Sequence, residues 1–101
     1  MSKFRSPVID RLFEAILTLE SVDECYKFFE DACTVKEIQD IAQRLDVASS
    51  LSRGNSFAVV AQETGVSSAT ISRVNKCLIY GSDGYKMVID RLNDKSSKEN
   101  G

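Results

Sequence analysis

The sequence predicts an all-α fold of six helices, on three kinds of observation. Apolar residues recur at helical spacing along most of the chain. Helix starts are marked by Ser6-Pro7, Ser21-Val22-Asp23-Glu24 and Thr34-Val35-Lys36-Glu37, each offering a hydroxyl to the free N–H groups of a first turn. Gly54, Gly65 and Gly81 stand where a helix must stop and the chain must turn.

Residues 1–5 form a short basic tail. From Pro7, a first helix carries Val8, Ile9, Leu12, Phe13, Ile16, Leu17 and Leu19 on a wide apolar face. The capping box at Ser21 opens a second helix with Val22, Cys25, Tyr26, Phe28, Phe29 and Ala32. A third and longest helix begins after Thr34, reaches about Ser52 and buries Ile38, Ile41, Ala42, Leu45, Ala48 and Leu51. Two short helices fill residues 57–80, and Ser82 is placed to cap a sixth with Tyr85, Val88, Ile89 and Leu92 inward. The domain therefore spans 1–93, and the polar residues 94–101 are expected to be disordered.

The stretch FAVVAQETGVSSATISRVNKC, Phe57 to Cys77, is the functional centre. Val60, Ala61, Val66, Ile71 and Val74 fall where two crossing helices must face each other, and Ala61 is small enough to let them approach. Gly65 supplies the turn, and Ser67 caps the second helix. Ser68, Ala69, Ser72, Arg73 and Lys76 then face outward, short or cationic. That is the layout of a DNA-binding helix-turn-helix. Ser68, Ala69 and Ser72 suit base edges and thymine methyls, with Thr70 nearer the backbone. Arg53, Arg73 and Lys76 suit phosphates. The bland reading of the same stretch is a purely structural αα-hairpin.

The net charge of −2 is unevenly spread, which matters more than its sign. Between Asp10 and Asp46 ten acidic residues face four basic ones, whereas from Arg53 to Lys76 only Glu63 opposes three cations. With so few cations, binding is expected to be salt-sensitive and to need two copies. The first two helices also carry more apolar surface than a monomer's exposed arm would, which suggests a homodimer; a six-helix monomer is the alternative. Three cysteines without CxxC spacing, and no histidine, argue against a disulfide framework or zinc site and read as small buried residues of a cytoplasmic protein. No apolar run approaches a membrane span. With no Gly-rich phosphate loop and no nucleophile beside a recognisable base, an enzyme is not expected, nor a cofactor.

The helix order, the long third helix ending in Arg53-Gly54, and the Ala69-Thr70-Ile71-Ser72-Arg73 segment resemble the Trp repressor superfamily, most closely its short YerC/YecD proteins. The resemblance covers about Phe4 to Leu92. It implies an intertwined homodimer and a sequence-specific DNA-binding transcription regulator, a repressor, reading a palindromic operator on double-stranded DNA. Thr34, Arg44 and Arg73 match the threonine and two arginines of that family's effector site, where the guanidinium groups flank an indole ring. The glycine that follows the second arginine in tryptophan-responsive members is here Val74, whose side chain occupies space the ring needs. Cys77 replaces a serine that helps bind the amino group. The segment from Gly54 to Gly65 is about a residue shorter and lacks the family's basic residues. Fold and DNA binding therefore transfer better than tryptophan binding. Without the resemblance, Arg44 could pair with Asp40 one turn away, and Arg73 could meet a phosphate. A protein-interaction scaffold that keeps the motif without reading DNA is the rival function, favoured by Phe57, Ala58 and Val59.

Overall fold

A computed structural model describes the backbone of residues 3–100 and the side chains through residue 96. Its regular structure is six α-helices: α1 (Pro7–Ile16), α2 (Val22–Ala32), α3 (Val35–Ser52), α4 (Phe57–Thr64), α5 (Ser68–Tyr80) and α6 (Gly84–Asn100). The chain divides into two compact units, with the boundary between Ile38 and Gln39, inside α3.

Local chemistry explains the helix starts. Ser6 Oγ accepts from the Ile9 N–H at 3.2 Å, with Pro7 in the first helical turn. Ser21 Oγ accepts from the Glu24 N–H at 3.1 Å, while the Glu24 carboxylate reaches past the cap to the Glu20 N–H at 2.9 Å. Thr34 and Glu37 form the complete reciprocal box: Glu37 N–H donates to Thr34 Oγ1 at 3.1 Å, and Thr34 N–H to Glu37 Oε1 at 2.9 Å.

In the first unit neither α1 nor α2 contains a buried residue. Val8 is 80% exposed, Leu17 83% and Val22 72%, so the wide apolar faces read from the sequence lie open in the single chain. Phe28 and Phe29 meet edge to face, ring centres 5.1 Å apart, and both are half-buried.

In the second unit Val47, Ala48, Val60, Ile71, Val74 and Ile89 form the core, one contribution or more from each helix, and Ala61, Val66, Leu78 and Tyr85 pack against it. Here α4 packs on α5 and α5 on α6. The inward residues expected of α3 need correcting. Ala48 is buried, but Ile41 is 55% exposed, and Val47, absent from that stripe, is fully buried. At about 100° per residue, Val47, Ala48 and Leu51 share one face of α3, whereas Ile38, Ile41 and Leu45 share a second face about 100° further round.

Two further expectations are corrected. The sixth helix begins at Gly84, not after a Ser82 cap: Asp83 precedes it in the left-handed region (φ 64°), and its carbonyl accepts from the Met87 N–H. That helix continues to Asn100. Once the helix is nucleated, neither glycine nor proline interrupts it before that point. The cysteines are not buried: Cys25 and Cys77 are exposed and Cys33 is half-buried. Cys25 sits on α2, which has nothing packed tightly enough over it to bury any residue.

Candidate nucleic-acid interface

The glycine turn between α4 and α5 is built as the sequence predicts. Gly65 adopts φ 72°, and its N–H closes α4 on the Ala61 carbonyl at 2.9 Å. Thr64 ties the same end by donating its hydroxyl to the Val60 carbonyl at 2.7 Å. Ser67 then caps α5, accepting from the Thr70 N–H at 3.2 Å. The start of α4 has a cap as well: Ser56 Oγ accepts from the Val59 N–H at 3.3 Å. Ser56 is not among the caps expected from the sequence, although a serine directly before an apolar helix start is a legible signal.

Side chains of α5 divide cleanly by face. Ile71 and Val74 are buried and Leu78 is half-buried. On the opposite face Ser68, Ala69, Arg73 and Lys76 are exposed and Ser72 is half-buried. With about 100° per residue, positions 68, 69, 72, 73 and 76 fall within one arc of the helix, turned away from the core. Thr70 is half-buried at the edge of that arc, its hydroxyl 3.2 Å from that of Ser67. So Ser68, Ala69, Arg73 and Lys76, with the half-buried Ser72 among them, form one polar and cationic face, and Ser67 is exposed at the start of the helix. Tyr80, 84% exposed, extends the same arc at its far end and was not singled out from the sequence.

Arg53 is not a residue of α5. It lies just past α3, and its Nη2 is 3.6 Å from Glu63 Oε2 on α4. The same oxygen accepts from the hydroxyl of Ser50 at 2.9 Å, and Ser50 Oγ accepts from Asn55 Nδ2 at 3.0 Å. Ser50 is 1% exposed, so this polar group is buried with its bonds made. Nothing in local sequence announces the link, because Ser50 and Glu63 are joined only by the packing of α4 against the end of α3.

The candidate effector residues are distributed differently. Thr34 belongs to the first unit, and its hydroxyl is occupied by the α3 cap. In the second unit Arg44 is half-buried on α3, and Arg73 and Cys77 are exposed on α5. Val74 is 1% exposed and belongs to the core, where a glycine would leave its volume empty. The Glu37 carboxyl beside Thr34 is held below its usual value by the backbone N–H and then the hydroxyl of Thr34. Among the described residues no group of three or more His, Cys, Asp or Glu is arranged to hold a metal ion, and no helix is long and apolar enough to cross a membrane.

Residues 8–93 match the family model described as Trp repressor protein. The chain is 48% identical over 98 residues to YerC of Bacillus subtilis (strain 168), itself uncharacterized, covering 97% of this chain and 94% of the relative. Among solved structures, a candidate Trp repressor from Staphylococcus aureus is 53% identical, with a TM-score of 0.86 over 90% of this chain and 91% of its own. A TrpR-like protein from Eubacterium eligens ATCC 27750 is 47% identical, with a TM-score of 0.86 over 90% of this chain and 94% of its own. The six-helix arrangement is therefore the one these proteins share, and the chain belongs to the Trp repressor protein family.

Proposed function

We propose that this protein is a sequence-specific DNA-binding transcription regulator, a cytoplasmic repressor that acts as a homodimer. The observation that carries the reading is the exposed face of α5, where small residues and two cations stand opposite the buried Ile71 and Val74. Ser68, Ala69 and Ser72 approach base edges in the major groove, and Arg73 and Lys76 hold phosphates. Small side chains discriminate weakly, so water-mediated contacts and duplex shape add to the readout.

Dimerisation is supported by the first unit. Apolar faces as open as those of α1 and α2 call for a covering surface, and a second copy of the chain supplies one. Two readers then fall on half-sites about 34 Å apart, which makes a palindromic operator the expected target. If a small molecule sets this activity, Thr34, Arg44, Arg73, Val74 and Cys77 are the residues to examine. Tryptophan is not the expected ligand, because Val74 is a core residue.

A helical interaction scaffold is the second reading, and Phe57 and Val59, 44% and 39% exposed at the start of α4, favour it. Selection of bound duplexes from a random pool at low salt separates the two. Enrichment of a palindrome supports the regulator, whereas absence of any bound duplex supports the scaffold.

A further inference from the structure

We propose that Glu63 is a positioning residue: it holds Arg53 beside the end of α4 and withholds part of its charge from a DNA phosphate, so setting the strength and salt dependence of duplex binding. The inference rests on the DNA-binding reading.

A carboxylate in the last turn of α4 is locally unfavourable, because the C-terminal end of a helix already carries partial negative charge. It is nevertheless fastened there. Its Oε2 accepts from the buried Ser50 hydroxyl at 2.9 Å, which fixes the carboxylate against the end of α3. Arg53 approaches that same oxygen from the solvent side at 3.6 Å. The Arg53 and Glu63 side chains are 59% and 45% exposed, so solvent screens their attraction and the pair is weak. A phosphate offers a guanidinium two oxygens in a matched fork, a stronger partner than one oxygen at this distance. In the complex a phosphate therefore shares Arg53 with Glu63: with the carboxylate still beside it the pair presents little net charge, and the phosphate contact releases correspondingly few of the DNA's counterions.

Glu63→Gln isolates the effect, since its amide oxygen can still accept from Ser50 while the charge is gone. The probe is random-sequence duplex DNA, because phosphate contacts do not depend on sequence. Binding of the full chain is measured across a salt series for the wild type, Glu63→Gln, Arg53→Gln and the double variant. The expected result is that Glu63→Gln binds several-fold more tightly and steepens the log–log salt slope by up to about 0.9 per protomer. That gain is expected to vanish in the Arg53→Gln background. A gain that persists without Arg53 reflects simple repulsion between Glu63 and DNA and overturns the proposal, as does an unchanged slope in Glu63→Gln. Wild-type protein that binds no duplex at low salt overturns the DNA-binding reading, and this inference with it. If circular dichroism shows Glu63→Gln to be misfolded, the pair Ser50→Ala/Glu63→Ala removes the charge without orphaning a buried hydroxyl and carries the same expectation.

Discussion

Arg73 and Val74 are chain neighbours on α5 that serve opposite sides of it: the arginine is exposed, and the valine, 1% exposed, is locked into the core with Ile71 and Val47. In the tryptophan-responsive proteins that this chain resembles, the second of these positions is a glycine beside the ligand. Here a branched side chain fills it, in keeping with the phosphate role proposed for Arg73.

Replacing Val74 with glycine should destabilise the protein by about 3 kcal/mol, from lost burial plus the cost of glycine inside a helix. Urea unfolding should show a lower midpoint at an unchanged slope. A loss below about 1 kcal/mol would contradict the core role of Val74. In the wild type, millimolar tryptophan should leave the thermal midpoint where it is.

The double variant Arg73→Ala/Lys76→Ala removes both exposed cations from the α5 face while leaving Ile71 and Val74 in place. A gel shift that is steep in salt for the wild type should be lost, with the log–log slope falling by about two per protomer. Retention of the wild-type slope would remove α5 from the phosphate-contacting surface.

Gly65 has open space where a Cβ would stand, so the penalty for replacing it is purely one of backbone conformation at φ 72°. Gly65→Val should cost about 1–3 kcal/mol, whereas Gly65→Asn, which tolerates this region better, should cost less. Thermal unfolding of the two variants gives the order. DNA binding should weaken in the same order, because this turn sets the angle between α4 and α5.

The Thr34–Glu37 box makes the start of α3 sensitive to acid. Hydrogen bonds from the backbone N–H and then the hydroxyl of Thr34 lower the folded-state pKa of Glu37 below the usual carboxylate value. The unfolded chain then binds the proton more readily, so stability rises with pH in this range. The contribution is fully present above the unfolded value and is lost as pH falls through the lowered one. Thermal midpoints followed from about pH 6 to about pH 3 should drop less steeply for Glu37→Gln than for the wild type. Parallel curves would separate the box from the acid response.

Leu12 and Phe13, 41% and 46% exposed on α1, are expected to be covered by the second copy. Sedimentation should give a dimer for the wild type at micromolar concentration and a monomer for Leu12→Glu/Phe13→Glu. A monomeric wild type would argue against a reader of paired half-sites.

Helix caps and the glycine turn were legible because they depend on contacts three or four residues apart. Ser6, Ser21, Thr34, Gly54, Gly65 and Ser67 act as their local sequence says, since a hydroxyl or a missing Cβ does its work within one turn. The same short range made the outward face of α5 readable from Ser68 to Lys76. Asp83 was missed because a non-glycine residue at φ 64° carries no reliable sequence mark.

Tertiary structure alone decided which apolar residues become the core of one chain and which stay open. Periodicity shows that α1 and α3 have apolar faces, but it does not say what covers them. Val47 is buried and Ile41 exposed on the same helix because α4, α5 and α6 cover only its second half. The Ser50–Glu63–Arg53 link belongs to the same class. Burial and long-range polar contacts depend on where other helices arrive, and helix starts and turns depend only on their neighbours.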